Sequence, residues 1–307
     1  MISELFPAVV FAVCVAVPYL IALEAIVWAA RRRRLQGMSF SHRIALILAA
    51  AGAVCITYGY FIEPYSLATS RIELRSPKVL PGQRPIRIAH FSDLHSDPRP
   101  RLERKLLEAV AAEHPDIIVF TGDAINSPDG LPLMRETVSG LGKIAPAYVV
   151  RGNWDTELWY GLNLYGGIGV TELNGDAVRL NIGGTPIWIA GLAFDHASAL
   201  QKTVRPIPPN EFSVLLYHSP DLMPEVMETN IDLFCAGHTH GGQVALPLYG
   251  ALITLSKLGK RYEAGLYHEK NTWLYVNRGV GMEGGPAPRV RFWSKPELTV
   301  IDIRPAA

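Results

Sequence analysis

Cysteine is scarce in this chain of 307 residues: there are three, Cys14, Cys55 and Cys235. Two lie in strongly apolar stretches, and the third lies in residues 231–236, a run with the pattern of a buried strand. They make no disulfide framework and serve as small hydrophobic fillers. Charge is also sparse, at 19% of residues, and neither sign prevails, with 29 Lys and Arg against 28 Asp and Glu. That balance excludes a protein that wraps nucleic acid by bulk charge, and no nucleic acid is expected as a stable partner. No repeat of fixed period and no low-complexity stretch is present, and a hydrophobic content of 49% excludes a disordered chain.

The apolar excess sits at the front. Residues 5–30 carry one charge, Glu24, and residues 44–62 carry none. The first run exceeds the roughly 20 residues needed to cross the hydrocarbon core of a bilayer, and the second nearly reaches it. Between them lie Arg31, Arg32, Arg33, Arg34 and Arg43. A signal peptide has its basic residues ahead of a single apolar run, so the order here predicts a transmembrane helical hairpin instead. By the positive-inside rule the arginine loop faces the cytoplasm, and the C-terminal domain then faces the periplasm or the exterior. The expected location is the bacterial inner membrane. Tyr58, Tyr60, Phe61 and Tyr65 fall where an interfacial aromatic belt belongs, and Glu24 can snorkel to the interface. Residues 1–75 are therefore assigned to a membrane anchor and 76–307 to one large domain.

In the larger part, apolar strands alternate with loops and amphipathic helices. Strands are expected at 86–91, 116–121, 147–150, 212–217, 231–236, 273–276 and 298–303, and a strand pair within 178–192 turns at Gly183 and Gly184. Helices are expected at 101–112 and 131–141. Strand–helix alternation early and strand-rich sequence late predict an α/β fold with two sheets flanked by helices, a four-layer α/β/β/α sandwich.

Five of these strands run into residues that ligate metals. Residues 86–91 lead to Asp93 and His95, 116–121 to Gly122-Asp123, and 147–150 to Gly152-Asn153. Residues 212–217 lead to His218, and 231–236 to Gly237-His238-Thr239-His240-Gly241-Gly242-Gln243. Carboxylate, imidazole and amide oxygens suit first-row divalent ions such as Mn²⁺, Fe²⁺ or Zn²⁺. Loops at the carboxyl ends of neighbouring strands converge, so ligands distant in sequence meet in space.

This series of motifs resembles the signature of the calcineurin-like metallophosphoesterases over about residues 86–303. Residues 274–281 and 296–301 resemble the membrane-associated branch near YkuE and YaeI. The resemblance implies a centre of two divalent ions, with manganese first in expectation and iron or zinc as alternatives. Asp93, His95 and His240 would hold one ion, Asn153, His218 and His238 the other, and Asp123 would bridge them. Asp123, Asn153 and His218 would also be catalytic. Two ions neutralise phosphate charge and acidify water for in-line displacement, so a phosphorylated substrate is expected, hydrolysed at a phosphodiester or pyrophosphate bond, with a lipid as the candidate carrier.

One position departs from the family. The pattern usually continues Gly-Asn-His, but here it is Gly152-Asn153-Trp154. An indole N–H cannot deliver a proton at neutral pH. The family's UDP-2,3-diacylglucosamine hydrolases, which have Arg there, also lack the histidine. A pyrophosphatase of lipid A synthesis is therefore an alternative, although its substrate is cytoplasmic. A non-catalytic metal-binding envelope protein is the rival from another class. Trp154 and Arg278 are candidate substrate contacts, with Arg151 beside them, and His196 is a candidate substitute proton donor. His90 reads as a hydrogen-bonded group behind the ligands. Arg99, Arg101, Arg104 and Lys105 form a basic run that reads as a solvated face or a contact for anionic lipid headgroups.

Overall fold

Strand β3, Ile117–Phe120, is four apolar residues long and fully buried. Ile117 and Val119 enter one apolar cluster and Ile118 and Phe120 another, because successive side chains on a strand point to opposite faces. This division repeats through the molecule and defines its layers. The computed structural model describes residues 16–17, 19–24, 26–28, 39–82, 84–284 and 289–306.

One sheet has the order β1 (Ala68–Ser76), β14 (Glu297–Pro305), β2 (Ile86–Phe91), β3, β4 (Ala147–Val149) and β5 (Thr171–Glu172). It is parallel throughout except where β14 meets β2. The other sheet has the order β12 (Gly265–Glu269), β13 (Thr272–Val276), β9 (Leu233–Ala236), β8 (Phe212–Leu216), β7 (Thr185–Gly191) and β6 (Asp176–Ile182). Its inner pairs are parallel and its two edge pairs antiparallel, and a separate antiparallel ribbon pairs β10 (Ala245–Leu246) with β11 (Gly250–Ala251).

Ile88, Ile117, Val119, Ile189, Val214, Leu216, Leu233 and Cys235 fill the space between the sheets. Leu106 and Val110 of the Glu103–Glu113 helix, with Met134, Val138 and Leu141 of the Leu131–Gly142 helix, cover the outer face of the first sheet. Leu200, Met223 and Val226, from two short helices, cover the outer face of the second. The result is the expected α/β fold of mixed sheets in four layers. Cys235 is a buried free thiol, as its filler role requires. Gly183 and Gly184 join β6 to β7 with φ of 56° and 87°, the double left-handed turn that suits a tight hairpin.

β1 is absent from the sequence expectation. It is a polar edge strand, yet it pairs along its whole length with β14. The sheet therefore begins at Ala68, inside the segment 1–75 assigned to the anchor.

The two-helix transmembrane hairpin is not borne out. Among the described residues one helix, Phe40–Phe61, is long and apolar enough to cross a membrane. At 1.5 Å per residue it spans about 33 Å. Of the first expected span, 5–30, only a shorter apolar helix, Tyr19–Trp28, is described. Residues 5–15, 18, 25 and 29–30 of that span lie outside the described residues, as do Arg31 to Arg34.

Candidate metal centre

The first sheet supplies Asp93 and His95 after β2, Asp123 after β3 and Asn153 after β4. The second supplies His218 after β8 and both His238 and His240 after β9. The carboxyl ends of parallel strands from both sheets thus open on one place. Five of these seven residues sit in the left-handed region, with φ of 50° at Asp93, 41° at His95, 58° at Asp123, 72° at His238 and 52° at His240. Such backbone strain in non-glycine residues persists where surrounding structure over-determines it, as at functional sites.

The glycines beside the ligands allow close approach. A Cβ on Gly152 would fall 2.1 Å from Asp123 Oδ1, and one on Gly237 would fall 1.9 Å from Ser92 Oγ and 2.3 Å from Asp93 Oδ2. Neither position accepts a side chain without moving a candidate ligand.

Asp93, His95 and His240 are buried and bring one ligand atom each within 4.8 Å of one another, and so do Asp93, Asp123 and His218. His240 Nε2 lies 3.4 Å from Asp93 Oδ1, and Asp123 Oδ2 lies 3.6 Å from His95 Nε2 and 3.3 Å from His218 Nε2. His238 Nδ1 lies 3.1 Å from Asn153 Oδ1 and 3.3 Å from His218 Nε2. All seven predicted ligand residues therefore converge, with Asp123 between the two histidine groups.

The electrostatics fit a cation. Burial pulls His95 and His238 down to about 4 and holds His240 well below its ordinary value, with Arg291 adding to the effect at His240. These rings are neutral, the form that ligates metal. Burial acts on His218 in the same direction, but the charges of Asp123 and Asp93 outweigh it and raise His218 to about 10. Burial also pushes Asp93 up to about 6. Two buried carboxylates thus demand positive charge, and both nitrogens of buried His95 have no hydrogen-bond partner. Hard oxygen and imidazole donors, an unpartnered ring and buried carboxylates that draw positive charge are the features a divalent-ion site needs. His218 Nδ1 donates to the Thr121 carbonyl at 2.7 Å. That bond fixes the tautomer and leaves Nε2 facing the carboxylates.

Trp154 is half-buried at the rim. Its ring meets His95 edge-on at 5.1 Å, its backbone N–H donates to Asp123 Oδ1 at 2.9 Å, and its indole N–H points to Glu283 Oε1 at 3.4 Å. Arg278 does not join the cluster: it forks onto Glu297, with Nη2 at 2.9 Å and Nε at 3.3 Å. Arg151 pairs with Glu172 at 2.6 Å, and His196 bonds to Asn174. His90 is buried against Thr121 Oγ1 at 3.0 Å, the supporting place expected of it. Arg101 leaves the solvated face and donates to the His95 carbonyl at 3.2 Å.

Four residues emerge only from the fold. Asp155 accepts from the amides of Asp123, Ala124 and Gly152 at 2.8, 2.9 and 2.9 Å. Arg291 is fully buried and donates to the carbonyls of Arg278 at 2.7 Å and His240 at 3.3 Å. Phe194 sets its ring 6.2 Å from His218 and 6.1 Å from His238. Glu283 is a half-buried carboxyl raised to about 7, chiefly by burial and then by Asp123. Asp155 alone had a local signal, as the acid two residues after Asn153.

The pattern of the calcineurin-like phosphoesterases matches residues 86–242. The chain is 34% identical over 296 residues to an uncharacterized metallophosphoesterase, YkuE, of Bacillus subtilis, covering 89% of this chain and 97% of that protein. It is 28% identical over 232 residues to the phosphodiesterase YaeI of Escherichia coli, covering 71% of this chain and 82% of that protein. A transmembrane protein with a metallophosphoesterase domain from Bos taurus is 26% identical over 268 residues, covering 78% of this chain and 57% of that protein.

Proposed function

Because this chain belongs to the calcineurin-like phosphoesterase family and is a metal-dependent hydrolase of phosphoric esters, we propose that it cleaves a phosphodiester or pyrophosphate bond at a bilayer. Asp93, His95 and His240 would hold one divalent ion, and Asn153, His218 and His238 the other, with Asp123 serving both. Manganese is the ion we expect to support turnover. The observation that carries this reading is the meeting of two buried Asp/His clusters at the strand ends, with Asp123 Oδ2 at 3.6 Å from His95 Nε2 and 3.3 Å from His218 Nε2.

When bound, two such ions would neutralise phosphate charge and lower the pKa of water so that it is a competent nucleophile near neutral pH. The chain's own residues do the rest. Asp123 and Asp93 supply the negative charge that keeps the cations in place. Thr121 and Asp155 fix the directions of His218 and of the Asp123 backbone. Phe194 and Trp154 wall the site with apolar surface. The Trp154 N–H faces Glu283 and has no proton to give, which favours leaving groups that depart unprotonated, such as one side of a pyrophosphate.

The apolar helix Phe40–Phe61 and the bovine transmembrane relative support membrane association. We place the catalytic domain on the periplasmic side of a bacterial inner membrane, following the arginine-rich segment before that helix. An anchor holds the site close to membrane substrates and raises their effective concentration, so a lipid phosphoester is the proposed substrate class. Because Ala68 already belongs to the sheet, we place the domain boundary between the helix and β1.

The test is hydrolysis of a phosphodiester chiral at phosphorus by full-length protein loaded with Mn²⁺. Inversion is the expected result, and retention contradicts direct attack by water. Turnover of a lipid diester in vesicles is expected to exceed that of its soluble headgroup analogue. Equal turnover of the two removes the lipid assignment.

A further inference from the structure

The end of the membrane helix is hydrogen-bonded to the segment that holds a metal ligand. The last four carbonyls of a helix lack partners within it. One of them, on Gly59, accepts the backbone N–H of Arg291 at 2.8 Å. A Cβ on Gly59 would meet the Arg291 carbonyl at 3.0 Å, so the absent side chain lets the two backbones touch. Tyr58 adds an edge-on ring contact with Phe292 at 6.2 Å. Just beyond the helix, Glu63 is 1% exposed. Its carboxylate accepts the backbone N–H groups of Trp293 at 3.0 Å and Ser294 at 2.5 Å.

The same short segment grips His240. Ser294 Oγ donates to the His240 carbonyl at 2.6 Å, and Arg291 Nη1 donates to it at 3.3 Å. Arg291 also donates to the carbonyls of Arg278, Gly279 and Gly281. The Gly281 N–H in turn donates to the Asp93 carbonyl at 2.7 Å. His240 has a left-handed backbone with φ of 52°, a conformation that needs outside support in a non-glycine residue. From Glu63 to His240 the path is two hydrogen bonds through one residue, Ser294.

We propose that Glu63 is a positioning residue of the metal centre: it holds the 291–294 segment so that Ser294 and Arg291 fix His240, making the foot of the membrane helix part of the site. The neighbouring ion, held with Asp93 and His95, depends on Glu63. The ion held by Asn153, His218 and His238 does not, because Asn153 and His218 stand on the loops after β4 and β8. This rests on the two-ion reading of the site. It carries a consequence for the intact protein: how the helix is seated in the bilayer sets the quality of one of the two ion sites.

The test is Mn²⁺ binding by full-length protein in detergent, measured by calorimetry with metal analysis, for wild type, Glu63→Ala, Glu63→Gln and Gly59→Val. Wild type is expected to bind two ions; if it binds none, the two-ion reading fails and this proposal with it. Loss of a supporting hydrogen bond to a ligand typically lowers metal affinity about 10–100-fold. Glu63→Ala is expected to weaken one ion by that factor and leave the other unchanged. Glu63→Gln keeps one acceptor oxygen and should fall between wild type and Glu63→Ala. Gly59→Val, which displaces the helix from Arg291 without touching Glu63, should weaken the same ion. Two ions bound with wild-type affinity in Glu63→Ala, or both weakened equally, would overturn the proposal.

Discussion

Asp155 clamps the backbone of Asp123. Asp155 Oδ2 accepts the Asp123 N–H at 2.8 Å and the Gly152 N–H at 2.9 Å, and Oδ1 accepts the Ala124 N–H at 2.9 Å. One buried carboxylate thereby ties the loop after β3 to the loop after β4. Asp123 is held in the left-handed region by a neighbour whose carboxylate is engaged by three backbone N–H groups.

Asp155→Asn leaves a single acceptor oxygen and turns an NH₂ group toward backbone donors, so part of the clamp is lost. We expect metal affinity to fall about 10–100-fold, as for other residues supporting a ligand, with the fold retained by circular dichroism. Metal titration checks this. Unchanged affinity would show that Asp123 keeps its place without the clamp.

Trp154→His places a group that carries a proton near neutral pH at the rim of the site. Turnover of esters with alkyl leaving groups should rise, by up to about 10²–10⁴-fold where general-acid help is limiting. Turnover of p-nitrophenyl esters should change little, because that leaving group needs no proton. Equal effects on both classes would mean that Trp154 acts through packing alone.

Arg87 forks onto Asp302 at 2.7 and 2.9 Å, joining β2 to β14. That hydrogen-bonded pairing holds the Asp302 carboxyl below its ordinary value of 3.8. A carboxylate depressed in the folded state stabilises fully above its unfolded value and loses this as pH falls through the depressed one. The melting temperature of Asp302→Asn should therefore lie below that of wild type at neutral pH. The gap should close under acid conditions, and a gap independent of pH would contradict the assignment.

Phe120 stacks on Phe91 at 4.6 Å with rings 8° apart, under the helices of the first sheet. Phe120→Ala leaves a cavity directly beneath the strand end that presents Asp123. The expected cost is about 3–5 kcal/mol, measured by denaturant unfolding. A loss below about 1 kcal/mol would mean that the core collapses into the gap, as well-tolerated sites do.

The inner strands could be read from sequence because they are apolar runs closed by polar loops. β2 is found at the expected residues 86–91. The convergence of the seven candidate ligand residues could be read because each motif follows a strand and six of the residues lie within one or two residues of another candidate ligand or a glycine. β1 gave no such signal: it is an edge strand with two Ser, two Arg, one Thr and one Glu among its nine residues, and its pairing partner lies more than 200 residues away. Arg291 and Glu63 were equally silent. Their roles rest on backbone carbonyls and amides brought together by the fold, and backbone groups leave no trace in side-chain patterns. Arg278 was misleading for the opposite reason, since adjacency to a motif does not reveal the buried Glu297 that it meets.

The most direct measurement is hydrolysis of bis-p-nitrophenyl phosphate by full-length, Mn²⁺-loaded protein beside Asp123→Asn. Asp123 stands between His95 and His218 at 3.6 and 3.3 Å, so neutralising it removes the charge that the two proposed ion sites share. Turnover by wild type that drops to background in the variant is the predicted result. Turnover undiminished in Asp123→Asn, or two tightly bound ions in wild type with no turnover at all, would contradict a hydrolytic two-metal centre.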